Sequence, residues 1–525
     1  MKYLKYLTIL TMTVSFMMGC KKELLQTIPN DRISTEIYWR TEADAILSAN
    51  AVYTFMSESA EHFVSWDGMS DIMYANPTGP QEALIARGGF NTLNGRISND
   101  WNRAYAGIRA ANSFILNVDR VATTNTALIN RLKGEVRTLR AYFYIRLAFL
   151  YGDVPLVTKE ITSEEGQLIK QTPVSQVWDF ISTELTEAAV LLPLNQTDIG
   201  RIRRGAAIAL KARAMLYAKR YQEAANAAQA VMDLNLYSLY PSYKTLFSYA
   251  AENNSEVILD IQFIRDNYSN NIYFMLAPRS TNGNSIWVPT KKIVDAYQMK
   301  NGLNITDPGS GYDPLKPFLN RDPRLSYSVF VPGDSLPNNR VFNSLPSSRT
   351  GDGVGTSFVV SATGYNVKKY VNKEDLVFAS NNGINFILMR YAEVLLIYVE
   401  AKIELNQIDA SVYTAINRVR QRPDILMPII PNGKTQTEMR NIHRQEQMVE
   451  FAFESQRFFD IRRWDIAKNI MPGKVFGLTY TATDGSRLVV EVPGYTRTWE
   501  PFYNLWPIPQ KELELNRNLT QNVGW

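Results

Sequence analysis

The sequence predicts a mostly α-helical protein whose helical scaffold carries one irregular, aromatic-rich stretch. Three observations support this reading. In RLKGEVRTLRAYFYIRLAFLYG, Leu132, Val136, Leu139, Phe143, Leu147 and Leu150 recur at steps of three and four, an apolar stripe on one helix face. Two segments, Ala206–Asn235 and Tyr391–Pro423, read as helical hairpins. From about residue 240 to 385 the composition shifts to Asn, Gly, Pro, Ser and aromatics, with short strand-like runs such as EVILDIQFI and TSFVVSA.

The chain begins with Lys2 and Lys5, then an apolar run ending in Gly19 and Cys20. A basic start, an apolar core and small residues at its end predict an export signal over residues 1–19. The run carries Thr8, Thr11, Thr13 and Ser15 and falls short of the about 20 mostly apolar residues that a membrane span needs. Met17-Met18-Gly19-Cys20 resembles the bacterial lipobox, which implies that Cys20 is lipidated and becomes the first mature residue, tethering residues 20–525 to a membrane. Cys20 is the only cysteine, so no internal disulfide can form.

Helical periodicity then predicts helices over Glu42–Ser57, Asn99–Val118, Val174–Leu191, Ala206–Asp233, Met389–Leu405, Ala410–Arg420 and Glu438–Phe453, with Gly152 and Pro155 ending the striped helix. In the first hairpin Tyr221, Ala224, Ala225, Ala228 and Val231 stand where a tetratricopeptide unit has its packing residues, because small side chains let two helices approach closely. Trp101 and Tyr105, on a predicted helix, are assigned to the core. No Ser/Gly/Pro-rich linker divides the chain, so residues 20–525 are expected to form one domain, with approximately 240–385 as an irregular insertion. Binding residues concentrate in such loops.

Chemistry is restricted by what is missing. A net charge of +5, with no run of five like charges, excludes the basic stripe of a nucleic-acid binder. Two histidines, His62 and His443, and one cysteine cannot build a His/Cys metal site or a Cys/His nucleophilic pair. PNGKT, ending at Thr435, resembles the end of a phosphate-binding loop, but upstream Pro428 stands where that loop requires its first glycine, and no nucleotide or other cofactor is expected. Asp67 and Asp71 are the one pair that suggests a glycoside hydrolase. No catalytic residue is assigned.

Six segments, RTLRAYFYIRLAFLYGDVPLVT, VDAYQMKNG, NRDPRL, RYAEVLLIYVEA, RQEQMVEFAFESQRFFDIRRW and LWPIPQKELELNRNLTQNVGW, together resemble the SusD/RagB family of outer-membrane nutrient-binding lipoproteins. They lie in the family's order. The resemblance implies a SusD-like, mostly helical fold with tetratricopeptide-like hairpins and extracellular, non-enzymatic binding of oligosaccharides. It also implies a SusC-like TonB-dependent outer-membrane transporter as partner. A peptide-capturing receptor on the same scaffold is the alternative. Read physically, the motifs are scaffold: Glu454 with Arg457 and Asp460 with Arg463 have i,i+3 spacing for ion pairs, and Asp322 can pair with Arg324 in its turn. Interleaved rings would partly bury these charges, so pairing is needed to offset desolvation.

Sugars present C–H faces that stack on aromatic rings and hydroxyls that need polar partners at the ring edge. Three irregular stretches supply both, and their residues are the expected ligand platform: Trp66, Asp67, Asp71 and Tyr74; Tyr268, Asn270 and Tyr273; Asn284 and Trp287.

Overall fold

The apolar stripe forms the longest helix among the described residues, Thr126–Tyr151, started by the Asn125 side chain and ended at Gly152, whose φ of 75° suits a residue without Cβ. The structure is a computed structural model that describes residues 38–57, 59–75, 81–195, 198–357 and 359–525. The predicted export signal and Cys20 lie outside the described residues.

Helices Glu42–Met56, Gly95–Asn117, Val174–Leu191, Tyr391–Glu404, Ala410–Arg420 and Gln436–Glu450 stand where periodicity places them, within a turn at either end. The predicted span Ala206–Asp233 is two helices, Arg204–Tyr217 and Tyr221–Asp233, folded back on each other at Lys219, a non-glycine residue at φ 59°. The helices stack in series. Thr126–Tyr151 packs on Val174–Leu191, which packs on Arg204–Tyr217, and Tyr221–Asp233 packs on Tyr391–Glu404. Two hairpins far apart in sequence are therefore neighbours in space. Ala224, Ala225 and Ala228 on one helix and Ala392 and Ala401 on the other are buried, and side chains this small let neighbouring helices approach closely. One hydrophobic cluster runs through this stack from Trp39 to Ile508.

The irregular stretch is closed at its base by strand Val257–Ile261, which pairs antiparallel with Phe386–Arg390. Strand Trp287–Pro289 pairs with Met73–Ala75, tying the stretch to the N-terminal helices. TSFVVSA forms no strand in its described residues. A long antiparallel pair that the periodicity reading did not find, Gly473–Thr481 with Arg487–Arg497, stands near the C-terminus.

The family-like motifs meet in a buried ionic network. Five cations (Arg324, Lys369, Arg390, Arg420, Arg422) face five carboxylates (Glu256, Asp322, Glu446, Glu450, Glu454), and all ten are buried. Glu450 accepts from Arg324 at 2.8 Å, Arg390 at 2.8 Å and Arg422 at 3.1 Å. Burial pushes Lys369 down to about 8, although Glu454 at 2.7 Å pulls the other way. The expected pairs Asp322–Arg324 and Asp460–Arg463 form. The expected Glu454–Arg457 pair does not: the helix ends at Glu450, Phe453 and Ser455 take positive φ, and the chain turns the two side chains apart. Glu454 joins Arg390 and Lys369, while Arg457 reaches Asp71.

Candidate functional site

Most of the expected platform lies inside the protein. Trp66 is on helix Ala60–Gly68, 1% exposed, stacked on Trp506 at 5.7 Å and edge-on to Phe458 at 5.0 Å, with the Arg96 guanidinium 4.3 Å over its face. Trp287 is 0% exposed, and its ring lies so close to Gly68 that a Cβ there would sit 2.1 Å from Cζ3. Tyr74 packs edge-on against Tyr495 at 4.8 Å, and Tyr273 is fully buried. None of these four rings offers a face to a sugar. The correction has a simple cause: what reads as three loops is a helix, a strand pair and a short helix (Ile272–Leu276) folded into the core.

The polar members are engaged as well. Asn270 donates to Ile384 O at 2.9 Å and accepts from the Ile272 N–H at 3.1 Å. Asp71 is clamped by Arg457 at 2.8 Å and Lys292 at 3.1 Å, which hold its carboxyl well below the usual range although burial opposes them. Asp67 accepts the backbone N–H groups of Ser455 at 3.0 Å and Arg457 at 2.9 Å. Both carboxylates are buried and act as clasps between chain segments nearly 400 residues apart, not as a pair facing a cleft. Asn284 is half-buried, its N–H on Phe274 O.

Asp67 gives a pH-dependent prediction. Burial pushes it up to about 7, against the two N–H bonds that favour its ionised form. The folded state then keeps a proton that the unfolded chain releases near 3.8. The resulting stabilisation is complete below that value and is lost as pH rises through about 7. Thermal melts of wild type and Asp67→Asn should therefore diverge with pH: relative to the variant, wild type loses stability from about pH 4 to about pH 7 and then levels off. A difference that stays flat across that window would show that Asp67 is ionised throughout.

Tyr268 alone of the expected rings is well exposed, at 49%. It sits on a tight reverse turn in which Ile264 and Tyr268 exchange backbone hydrogen bonds of 2.9 and 3.0 Å and Asp266 takes φ 70°. Its ring stacks on Phe263 at 5.3 Å and 10°. Phe263 leans on Phe386 at 4.6 Å, and Phe386 stacks on Phe63 at 4.7 Å and 12°. A column of four rings thus runs from the core to the surface and holds the Tyr268 face in place.

Two hollows flank that ring. One, of about 430 Å³, is edged by Ser57, Ser59, Arg103, Asn271 and Ser380. The other, of about 270 Å³, is edged by Asn50, Tyr53, Arg201, Asp260 and Gln262. The Tyr268 hydroxyl touches Ser57 Oγ between them. Arg103 is fixed by the carbonyls that end helix Glu42–Met56, Thr54 O at 2.8 Å, Phe55 O at 3.0 Å and Ser57 O. Arg201 is fixed by Glu135 at 2.8 Å and Asn50 at 2.6 Å. An exposed ring face with amide, hydroxyl and guanidinium groups around it suits a ligand that is apolar on its face and polar at its rim. Phe263, Arg103 and Ser57 were not singled out from the sequence. The only local signal was FIRDNY, an aromatic strand end running into an Asp-Asn turn.

Stacked helical hairpins with one loop-built face and a core-anchored surface ring define a helical scaffold for ligand binding. The chain belongs to the SusD family, whose model matches residues 250–525. A second family model, described as starch-binding and associating with the outer membrane, matches residues 31–216. SusD-like protein P2 of Formosa agariphila is 26% identical, with 96% of each chain covered. A crystal structure of a SusD-like carbohydrate-binding protein from Bacteroides fragilis superposes with a TM-score of 0.84 at 26% identity, covering 92% of this chain and 100% of that one. A laminarin-binding SusD-like protein shares the fold, with a TM-score of 0.73 at 22% identity over 93% of this chain and 100% of that one.

Proposed function

We propose that the protein is a non-catalytic, outer-membrane lipoprotein, anchored through Cys20, that captures oligosaccharides at the cell surface and delivers them to a SusC-like TonB-dependent transporter. The observation that carries the binding claim is the Tyr268 face, held by a ring column and flanked by two polar-edged hollows. The relatives' descriptions support it: one is a carbohydrate-binding protein, and the model over residues 31–216 is described as starch-binding. Outer-membrane location is supported by that same description, and the lipid anchor by the lipobox around Cys20. The transporter partnership rests on family membership. Against the hydrolase alternative, Asp67 and Asp71 are both spent on structural bonds.

Loss of a stacked ring removes apolar contact worth about 1–2 kcal/mol at roughly 25 cal/mol per Å². Tyr268→Ala is therefore expected to weaken oligosaccharide binding about tenfold. Because the ring is half exposed, the thermal melt should barely move. Calorimetry with laminarin- and starch-derived oligosaccharides reads this out. Unchanged affinity in a folded Tyr268→Ala variant would remove Tyr268 from the site.

A further inference from the structure

We propose that a bound glycan does not end at Tyr268 but continues over Arg103 into a second groove along helix Gly95–Asn117, so that the protein grips an extended chain rather than a chain end. The proposal rests on the glycan-binding reading above and adds a site to it.

The helix buries Trp101, Ala104, Ile108 and Ala111 and turns Asn102, Arg103, Ala106, Arg109 and Ala110 outward. Over that outward face lie two further hollows, of about 570 and 520 Å³, which share Tyr105, Arg109, Val157 and Ile161 and so form one trough. Its walls are pinned. The Tyr105 hydroxyl donates to Pro155 O at 2.9 Å, Asn112 donates to Val157 O at 2.9 Å and Lys159 O at 3.1 Å, and Asn516 donates to Gly166 O and Ile169 O at 3.1 and 2.7 Å. A trough held open by such bonds costs a ligand little ordering of the protein.

Tyr105 was expected in the core. It is half-buried instead, and its ring lines both hollows. It packs on Trp101 at 4.9 Å, and Trp101 stands edge-on to Tyr151 at 5.0 Å. This repeats the arrangement under Tyr268, a surface ring backed by rings that reach the core.

One hydrogen bond links the lining of the trough to that of the Tyr268 site. Arg103 edges the hollow beside Tyr268 and donates to the carbonyl of Phe55, and Phe55 lines the trough. From Arg103 to Arg109 the helix rises about 9 Å at 1.5 Å per residue, further than one sugar ring reaches. Arg109 makes no ion pair among the described residues, which leaves its guanidinium available to hydroxyls. Arg109, Lys159, Glu160 and Glu512 give the lining both signs of charge. A single-sign polyanion or a lipid surface would be better served by cations alone. Apolar walls with a mixed polar rim fit a sugar chain.

The test uses the full folded chain and two series of probes, laminari- and malto-oligosaccharides from the disaccharide upward. In wild type, affinity should rise with chain length beyond the shortest bound probe. Arg109→Ala and Ala106→Trp, which fills the trough, should weaken the longest probe about tenfold and leave the shortest unchanged. Tyr268→Ala should weaken both. If trough variants with unaltered melts bind long and short probes like wild type while Tyr268→Ala still weakens them, the second groove is wrong and the Tyr268 reading stands. If the trough variants weaken binding and Tyr268→Ala does not, the continuous path is wrong. Should neither series bind wild type at all, both readings fall together.

Discussion

Glu450→Gln is expected to cost about 3–5 kcal/mol of stability, the largest loss available from a change of so few atoms. The carboxylate is 0% exposed and serves three guanidinium groups at once, those of Arg324, Arg390 and Arg422. Glutamine keeps the shape but replaces one oxygen with an NH₂ group, which then faces an arginine as donor to donor. It also leaves the network with five cations against four carboxylates in a region from which water is excluded. The attraction of such a pair is large only because its desolvation cost has already been met, so removing one partner exposes that cost. Glu491, paired with Lys474 at the surface, is the control. That pair is 57% and 42% exposed, and Glu491→Gln should change stability by less than about 1 kcal/mol. Thermal melts of both variants against wild type would decide the matter. An unaltered melt for Glu450→Gln would show that the network contributes little.

The scaffold was legible because its signals are local. Apolar steps of three and four place the helices, and Val174–Leu191 and Ala410–Arg420 have the predicted ends. The hairpin over Ala206–Asn235 was read from its small and aromatic packing residues, but the position of its turn at Lys219 was not legible, since Ala, Lys and Arg all favour helix and no Gly or Pro marks it. The C-terminal strand pair did carry a signal, the turn sequence TDGS between two runs rich in β-branched and aromatic residues. For the ionic motifs, the need for partners could be read, but the partners could not. Arg457 finds Asp71, 386 positions away, in preference to the nearer Glu454.

Whether each expected ring meets solvent was not legible in the sequence. An aromatic beside Asp and Gly in SWDGMSD has the composition of a loop, and composition does not say whether the other side of the ring meets water or Trp506. Burial is decided by segments distant in sequence. Tyr268 is the one expected ring that the structure leaves well exposed, because its turn is local and projects from a strand end. Arg103 was missed because its role depends on the far end of a different helix, Glu42–Met56.

Trp66→Ala follows from that correction and is expected to cost about 3–5 kcal/mol, the range for truncating a buried aromatic residue. The ring is a hub. Trp506, Phe458 and Phe459 meet it at 5.7, 5.0 and 5.0 Å, and the guanidinium groups of Arg96 and Arg146 lie 4.3 and 5.2 Å from its centre. Those neighbours come from the N-terminal helices, the IRRW motif helix and the C-terminal segment, so the vacated space borders three parts of the chain. Collapse to fill it is hindered by the rigid interlock of Gly68 and Trp287 at the end of the same helix. The Arg96 guanidinium would also lose the face it lies on while keeping its buried bonds to Asp100 at 2.5 Å and Glu82 at 2.7 Å. At temperatures where the variant is still folded, oligosaccharide affinity should match wild type, because Trp66 is buried and lines neither hollow beside Tyr268. Melts and calorimetry on Trp66→Ala and Tyr268→Ala should therefore separate cleanly, one losing stability and the other losing affinity. A Trp66→Ala variant that melts like wild type but binds ten times more weakly would return this ring to the binding site.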